Sequence, residues 1–220
     1  MNKINEIGDQ LWEGCILASI AHAIMVAHYP ELANEHSWDD INYNVQNSSG
    51  GRGTITFHTN YVVGAFRNED SERESNYTVA LNYFNGAPQE VIDVAVNESL
   101  QYLLDDIHGS VAPVITTAFW GNKGGSNSND NDEEFIKNGG FLIERQALNI
   151  EVAINEWIED YYMTESQVSL LHSLFERKIS NPNDKIMLTE SEIKMIESDD
   201  EEGLKESKIS FGELGIGWEL

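Results

Sequence analysis

One cysteine, Cys15, stands among the 220 residues, so no intramolecular disulfide can form. Positive charge is also scarce. Thirteen Lys and Arg against 38 Asp and Glu leave a formal net charge of −25 and a pI near 4.3. Such a surface repels phosphate backbones and anionic lipid headgroups, which argues against nucleic acid and against a membrane surface as partners. Long hydrophobic runs are missing as well. The first apolar stretch, Ile16 to Ala27, is shorter than the ~20 residues that span a bilayer, and it contains His22. Glu6, Asp9 and Glu13 precede it, where a secretory signal would carry basic residues. A cytoplasmic location is therefore expected, in which the sequons at Asn47, Asn76 and Asn97 have no meaning.

The chain nevertheless has the means to build a core, because 40% of it is apolar and 10% aromatic. Leu11 to Tyr29 reads as a helix closed by Pro30, apolar on nearly every face and so buried. Thr54 to Phe57 and Tyr61 to Phe66 read as an antiparallel hairpin turning at His58-Thr59-Asn60, in a sheet covered by that helix, and Tyr77 to Leu81 as a third strand. Pro88 opens a helix expected to run to Ile107. Val114 to Trp120 and Phe141 to Ile143 read as further strands, separated by a long Gly- and Asn-rich loop over 121–140.

From residue 149 the pattern is helical. Ile150, Ile154, Trp157, Ile158 and Tyr161 form a stripe, and Thr164 with Gln167 and Thr189 with Glu192 make two capping boxes. The expectation is an α+β fold: a mainly antiparallel sheet packed by helices in a domain over 1–148, and a helical C-terminal region over 149–220 packed on it. Charge does not separate the two parts, since residues 1–110 carry −12 and 111–220 carry −13.

Cys15 is the sharpest chemical candidate. It follows Gly14 near a helix start, where the helix dipole lowers a thiol pKa. A cysteine hydrolase would use Cys15 as nucleophile, His58 or His108 as base, and Gln10 in an oxyanion hole. The competing reading is a small buried hydrophobe, the commoner fate of a free cysteine. Cys15, His22 and His28 share a helix, but no tight ligand pair nucleates a metal site there, and neither a metal nor a cofactor is expected. Asn181-Pro182-Asn183-Asp184 lacks the central Gly and acid spacing of a calcium loop. Ser49 to Thr54 lacks the Lys and the strand-to-helix context of a phosphate loop, and Arg52 within it is expected to pair with Asp39, Asp40 or another nearby carboxylate.

The acidity itself points to a basic protein partner, whose encounter such a field accelerates. Contact surfaces of that kind combine carboxylates with aromatic anchors. Two regions offer both: Trp38, Asp39 and Asp40 with Tyr43, and the segment after Trp120 that holds Asp130, Asp132, Glu133, Glu134 and Phe135.

The stretches Trp38-Asp39-Asp40-Ile41-Asn42-Tyr43, Gly53-Thr54-Ile55-Thr56-Phe57 and Val63-Gly64-Ala65-Phe66 resemble small acidic proteins of Gram-positive bacteria, the immunity proteins of polymorphic toxin systems. The resemblance covers about a third of the chain and no catalytic motif. It implies a non-enzymatic protein that binds and blocks one cognate toxin, which here would be basic. The long helical tail departs from many compact members. Two functions thus stand side by side, an acidic binder of a basic toxin and a Cys15 hydrolase.

Overall fold

The computed structural model describes residues 8–75, 78–107, 109–122 and 125–219. In chain order the elements are α1 (Gly8–Met25), β1 (His36–Asp39), β2 (Asn42–Gln46), β3 (Arg52–Phe57), β4 (Val62–Arg67), α2 (Glu72–Ser75), α3 (Gln89–Asn97), β5 (Leu104–Ile107), β6 (Ser110–Pro113), β7 (Thr117–Asn122) and β8 (Gly125–Asn127). They continue with α4 (Asp132–Lys137), α5 (Ile150–Asp160), α6 (Glu165–Ser180), β9 (Ile186–Leu188), α7 (Glu190–Lys194), α8 (Glu201–Glu213) and β10 (Ile216–Trp218). The fold is α+β, built on a six-stranded sheet in the order β1-β2-β3-β4-β7-β8. The chain divides into two compact units, Met1–Trp12 with Asp39–Ala147 and Glu13–Trp38 with Leu148–Leu220.

In the first unit β3 and β4 form the expected hairpin, with Thr56 opposite Val63 and Phe57 opposite Val62. The two faces of the sheet have different partners. Val63, Ala65, Ala118 and Trp120 point to one side, where Phe84, Val91, Leu100 and Leu103 complete an apolar cluster. Phe66 and Phe119 point to the other and stack at 6.1 Å, and Phe135 of α4 meets both rings edge-on. Glycine makes room for this pair. A Cβ on Gly64 or on Gly53 would lie 2.2 Å from the ring of Phe119 or Phe66 on the neighbouring strand.

Several local expectations are corrected. Tyr77 lies outside the described residues, and Ala80 to Phe84 is a 3-10 turn rather than a strand: Ala80 and Phe84, four apart, are buried while Val79 and Leu81 are exposed. The helix from Pro88 stops at Asn97, whose side chain donates to the Asp93 carbonyl. Ser99 is then drawn into the core, where its hydroxyl meets Thr56 and the Val63 carbonyl, and Leu104 to Ile107 pairs with β6 instead of continuing the helix. Phe141 to Ile143 is 3-10, following Gly139 at φ +139°. The expected loop over 121–140 carries the β7–β8 hairpin and α4.

In the second unit, residues 14–27 are buried on every face. Both capping boxes form as expected, at Thr164 and Thr189. The division of the chain differs from a boundary near residue 148 alone, because 13–38 belongs with the C-terminal helices. Its backbone explains why. Past Ala23 the helix carbonyls near its end need partners. Ser207 and Ser198 donate to the Ala23 carbonyl (2.6 Å) and the Ala27 carbonyl (2.5 Å), and Gly203 brings α8 against Ala27. Ile186 to Leu188 pairs in parallel with the apolar ending Ile216 to Trp218. Among the described residues no helix is long and apolar enough to cross a membrane.

Candidate functional site

The turn between β1 and β2 places two carboxylates side by side on the surface. Asp39 ends β1, and Asp40 follows at φ +54°, a left-handed conformation that Asp tolerates better than most side chains. Tyr102, 36% exposed, comes from the 3-10 segment after α3 and donates its hydroxyl to Asp39 Oδ2 at 2.7 Å. Asn42 Nδ2 donates to Glu98 Oε2 (2.9 Å) and to the Tyr102 oxygen (3.3 Å). Asn42 is itself fixed by the Thr56 hydroxyl, which donates to its Oδ1 at 2.7 Å. The corner therefore rests on the sheet rather than on a free loop.

Burial, then the hydrogen bond and charge of Asp39, push the Tyr102 phenol up to about 12. It stays protonated at neutral pH and keeps donating. Among the described residues neither Asp39, Asp40 nor Glu98 is in an ion pair. Arg52, Arg67 and Arg73 are committed elsewhere. Arg52 faces Glu69 (3.5 Å) and Asp105 (3.7 Å) rather than Asp39 or Asp40. Arg67 binds Glu74 and Asp105, and Arg73 clamps Asp130 and reaches Glu134.

Other expected contact residues are placed differently. Tyr43 is 0% exposed and its hydroxyl accepts from Gln146 Nε2, so its ring cannot anchor a partner. Trp38 is half-buried; its indole N–H donates to Ser19 and its backbone N–H to Glu213. Asp132 and Glu133 are exposed in the first turn of α4, whereas Glu134 is held by Arg73 and Asn138. Phe135 (5%) and Trp120 (6%) are core residues, which leaves that acidic turn without either expected ring at its surface. Sequence reasoning missed Tyr102 and Glu98, because both fell inside a helix expected to run on to Ile107. Asn97 and Ser99 were the signal for the break, side chains that compete for backbone groups.

Cys15 is 0% exposed, and burial pushes its thiol well above the usual range. A nucleophile needs an accessible thiolate, and Cys15 has the surroundings of a small core side chain. His58 is exposed in the β3–β4 turn, Gln10 is half-buried, and His108 lies outside the described residues. His22 Nδ1 meets the Tyr161 hydroxyl at 3.3 Å, and His28 Nε2 lies 2.9 Å from the Ile196 carbonyl oxygen. No group of three or more His, Cys, Asp or Glu among the described residues is arranged to hold a metal. The Gly-rich stretch at Ser49 is a turn closed on Asn47, whose Oδ1 accepts from the N–H groups of Ser49 and Gly51. In the Asn181 to Asp184 turn the Pro182 carbonyl accepts from Lys178. Comparison with known protein families, with curated proteins and with solved structures finds no match to this chain.

Proposed function

We propose that the protein is a non-enzymatic cytoplasmic binder that occludes a basic protein partner, in the manner of an immunity protein neutralising a cognate basic toxin. The observation that carries this reading is the corner in which Asp39 and Glu98 hold Tyr102, with Asp40 next along the turn. Asp39 accepts from the exposed Tyr102 phenol, Glu98 is joined to it through Asn42, and Asp40 follows Asp39 on the surface, all three carboxylates outside any ion pair among the described residues. Charge steers the encounter, and a ring held before binding loses little freedom on contact. The net charge of −25 supports the same reading, because a basic partner relieves the self-repulsion of so acidic a surface.

Immunity proteins are encoded beside their toxins, which supplies the experiment. Coexpression with a basic product of the adjacent reading frame should yield a stable complex and relieve that product's toxicity. Failure to bind it, together with hydrolysis of a peptide or amide substrate that Cys15→Ala abolishes, would reverse the assignment.

A further inference from the structure

A second feature of the first unit lies on the sheet face that carries Phe66 and Phe119. A cavity of ≈ 230 Å³ opens there, walled by Leu11, Phe119, Phe135, Ile136, Ile143 and Ala147. Its surface is almost wholly apolar, but two acidic residues, Asp132 and Glu144, are among those that border it, and no Lys or Arg is. Both are exposed and neither is in an ion pair among the described residues. The wall is stiff. Phe135 sits edge-on to Phe66 and Phe119, and a Cβ on Gly140 would lie 2.3 Å from its ring. The helix α4 that carries Phe135 is tied down through Glu134 by Arg73 and Asn138. The cavity is therefore formed before any occupant arrives.

We propose that this cavity takes a single large apolar side chain, presented by a basic partner segment in which Lys or Arg flanks that residue. The inference rests on the functional reading above and names the chemistry of the partner. At ≈ 230 Å³ the space is below the ~300–1,000 Å³ of small-molecule sites and suits one buried anchor. The carboxylates at the mouth select what surrounds the anchor: cations beside it pair with Asp132 and Glu144, and acids are repelled. A second copy of this chain is disfavoured on the same ground, since each carries −25.

The test uses the full chain with labelled Ile and Ala methyls, titrated at low salt with the peptide Lys-Lys-Phe-Lys-Lys and its Phe→Ala counterpart. The expected result is that the Phe peptide shifts the methyls of Ile136, Ile143 and Ala147 and that the Ala peptide does not. Ala147→Trp fills the cavity from an exposed position and should weaken binding by about tenfold or more. Ala147→Leu provides the same test with a smaller side chain should the first variant fold poorly. Asp132→Asn with Glu144→Gln should weaken it several-fold, with a shallower salt dependence. Peptide binding that moves signals around Asp39 and Tyr102 but leaves Ile136 and Ile143 still would overturn the cavity assignment alone. No binding anywhere would overturn the cavity assignment while leaving the functional reading to the coexpression test, and self-association that Ala147→Trp abolishes would replace the basic segment by a second copy.

Discussion

The rings of His22 and His36 lie 4.7 Å apart in the interior of the second unit, tilted by 47°. They belong to a closed set. His36 meets Trp157 edge-on, Trp157 stacks on Tyr161, and the Tyr161 hydroxyl returns to His22 Nδ1. Burial lowers His22 from 6.5 to about 4, opposed in part by a hydrogen bond to the Ala33 backbone.

That placement gives stability a pH dependence of known sign. The folded chain holds His22 neutral, whereas the unfolded chain takes up the proton near pH 6.5. The stabilisation is complete above 6.5 and is lost as pH falls towards 4, by roughly 3 kcal/mol at ~1.4 kcal/mol for each pH unit. Urea unfolding between pH 4 and 7 should show this slope, and His22→Asn should flatten it. An unchanged slope in the variant would place the acid sensitivity elsewhere.

Gly203 is the second point of test. A Cβ there would lie 2.3 Å from the Ala27 carbonyl oxygen, a backbone atom that cannot swing aside. Gly203→Ala should destabilise the chain by about 1–3 kcal/mol, as overpacking does, despite the higher helix propensity of Ala. Thermal unfolding measures it, and a stabilised variant would mean that α8 is held less closely.

Arg67 has a side chain only 9% exposed and neutralises Glu74 and Asp105 together. Arg67→Ala leaves Glu74 without a cation among the described residues and leaves Asp105 only its longer contact with Arg52 at 3.7 Å. The expected cost is about 2–3 kcal/mol, below the ~3–5 kcal/mol of a fully buried pair because Asp105 is 39% exposed. Arg67→Met, which keeps the volume, should lose nearly as much if charge is the cause.

Cys15 should behave as core. Native protein should resist thiol reagents, and Cys15→Ala should cost about 1–2 kcal/mol and leave binding intact. Rapid native labelling would contradict the burial described above.

The legible parts of the fold were those in which a local signal and the tertiary environment agree. The β3–β4 hairpin, the helix through Cys15, and the capping boxes at Thr164 and Thr189 carry periodicity or cap chemistry that packing reinforces. Where the two compete, the sequence misled. The stripe of Leu103, Leu104 and Ile107 continues a helical pattern, but Ser99 finds better partners in Thr56 and the Val63 carbonyl, and the chain leaves the helix to reach them. The candidate site was half legible for the same reason. Asp39 and Asp40 stand in plain view at a turn, whereas Tyr102 reaches Asp39 only after that break, from 63 residues away. Tyr43 alternates correctly for a strand, but nothing local reveals that Gln146 closes over its hydroxyl.

The most direct test of the acidic corner is the kinetics of association with the basic partner obtained by coexpression, followed across a salt series. Asp39→Asn with Asp40→Asn, substitutions that suit the left-handed turn, should slow association by roughly tenfold at low salt and reduce its salt dependence, as steering charges are removed. Tyr102→Ala should leave association nearly unchanged and speed dissociation by about tenfold or more. Association that is insensitive both to salt and to the loss of Asp39 and Asp40 would contradict the account.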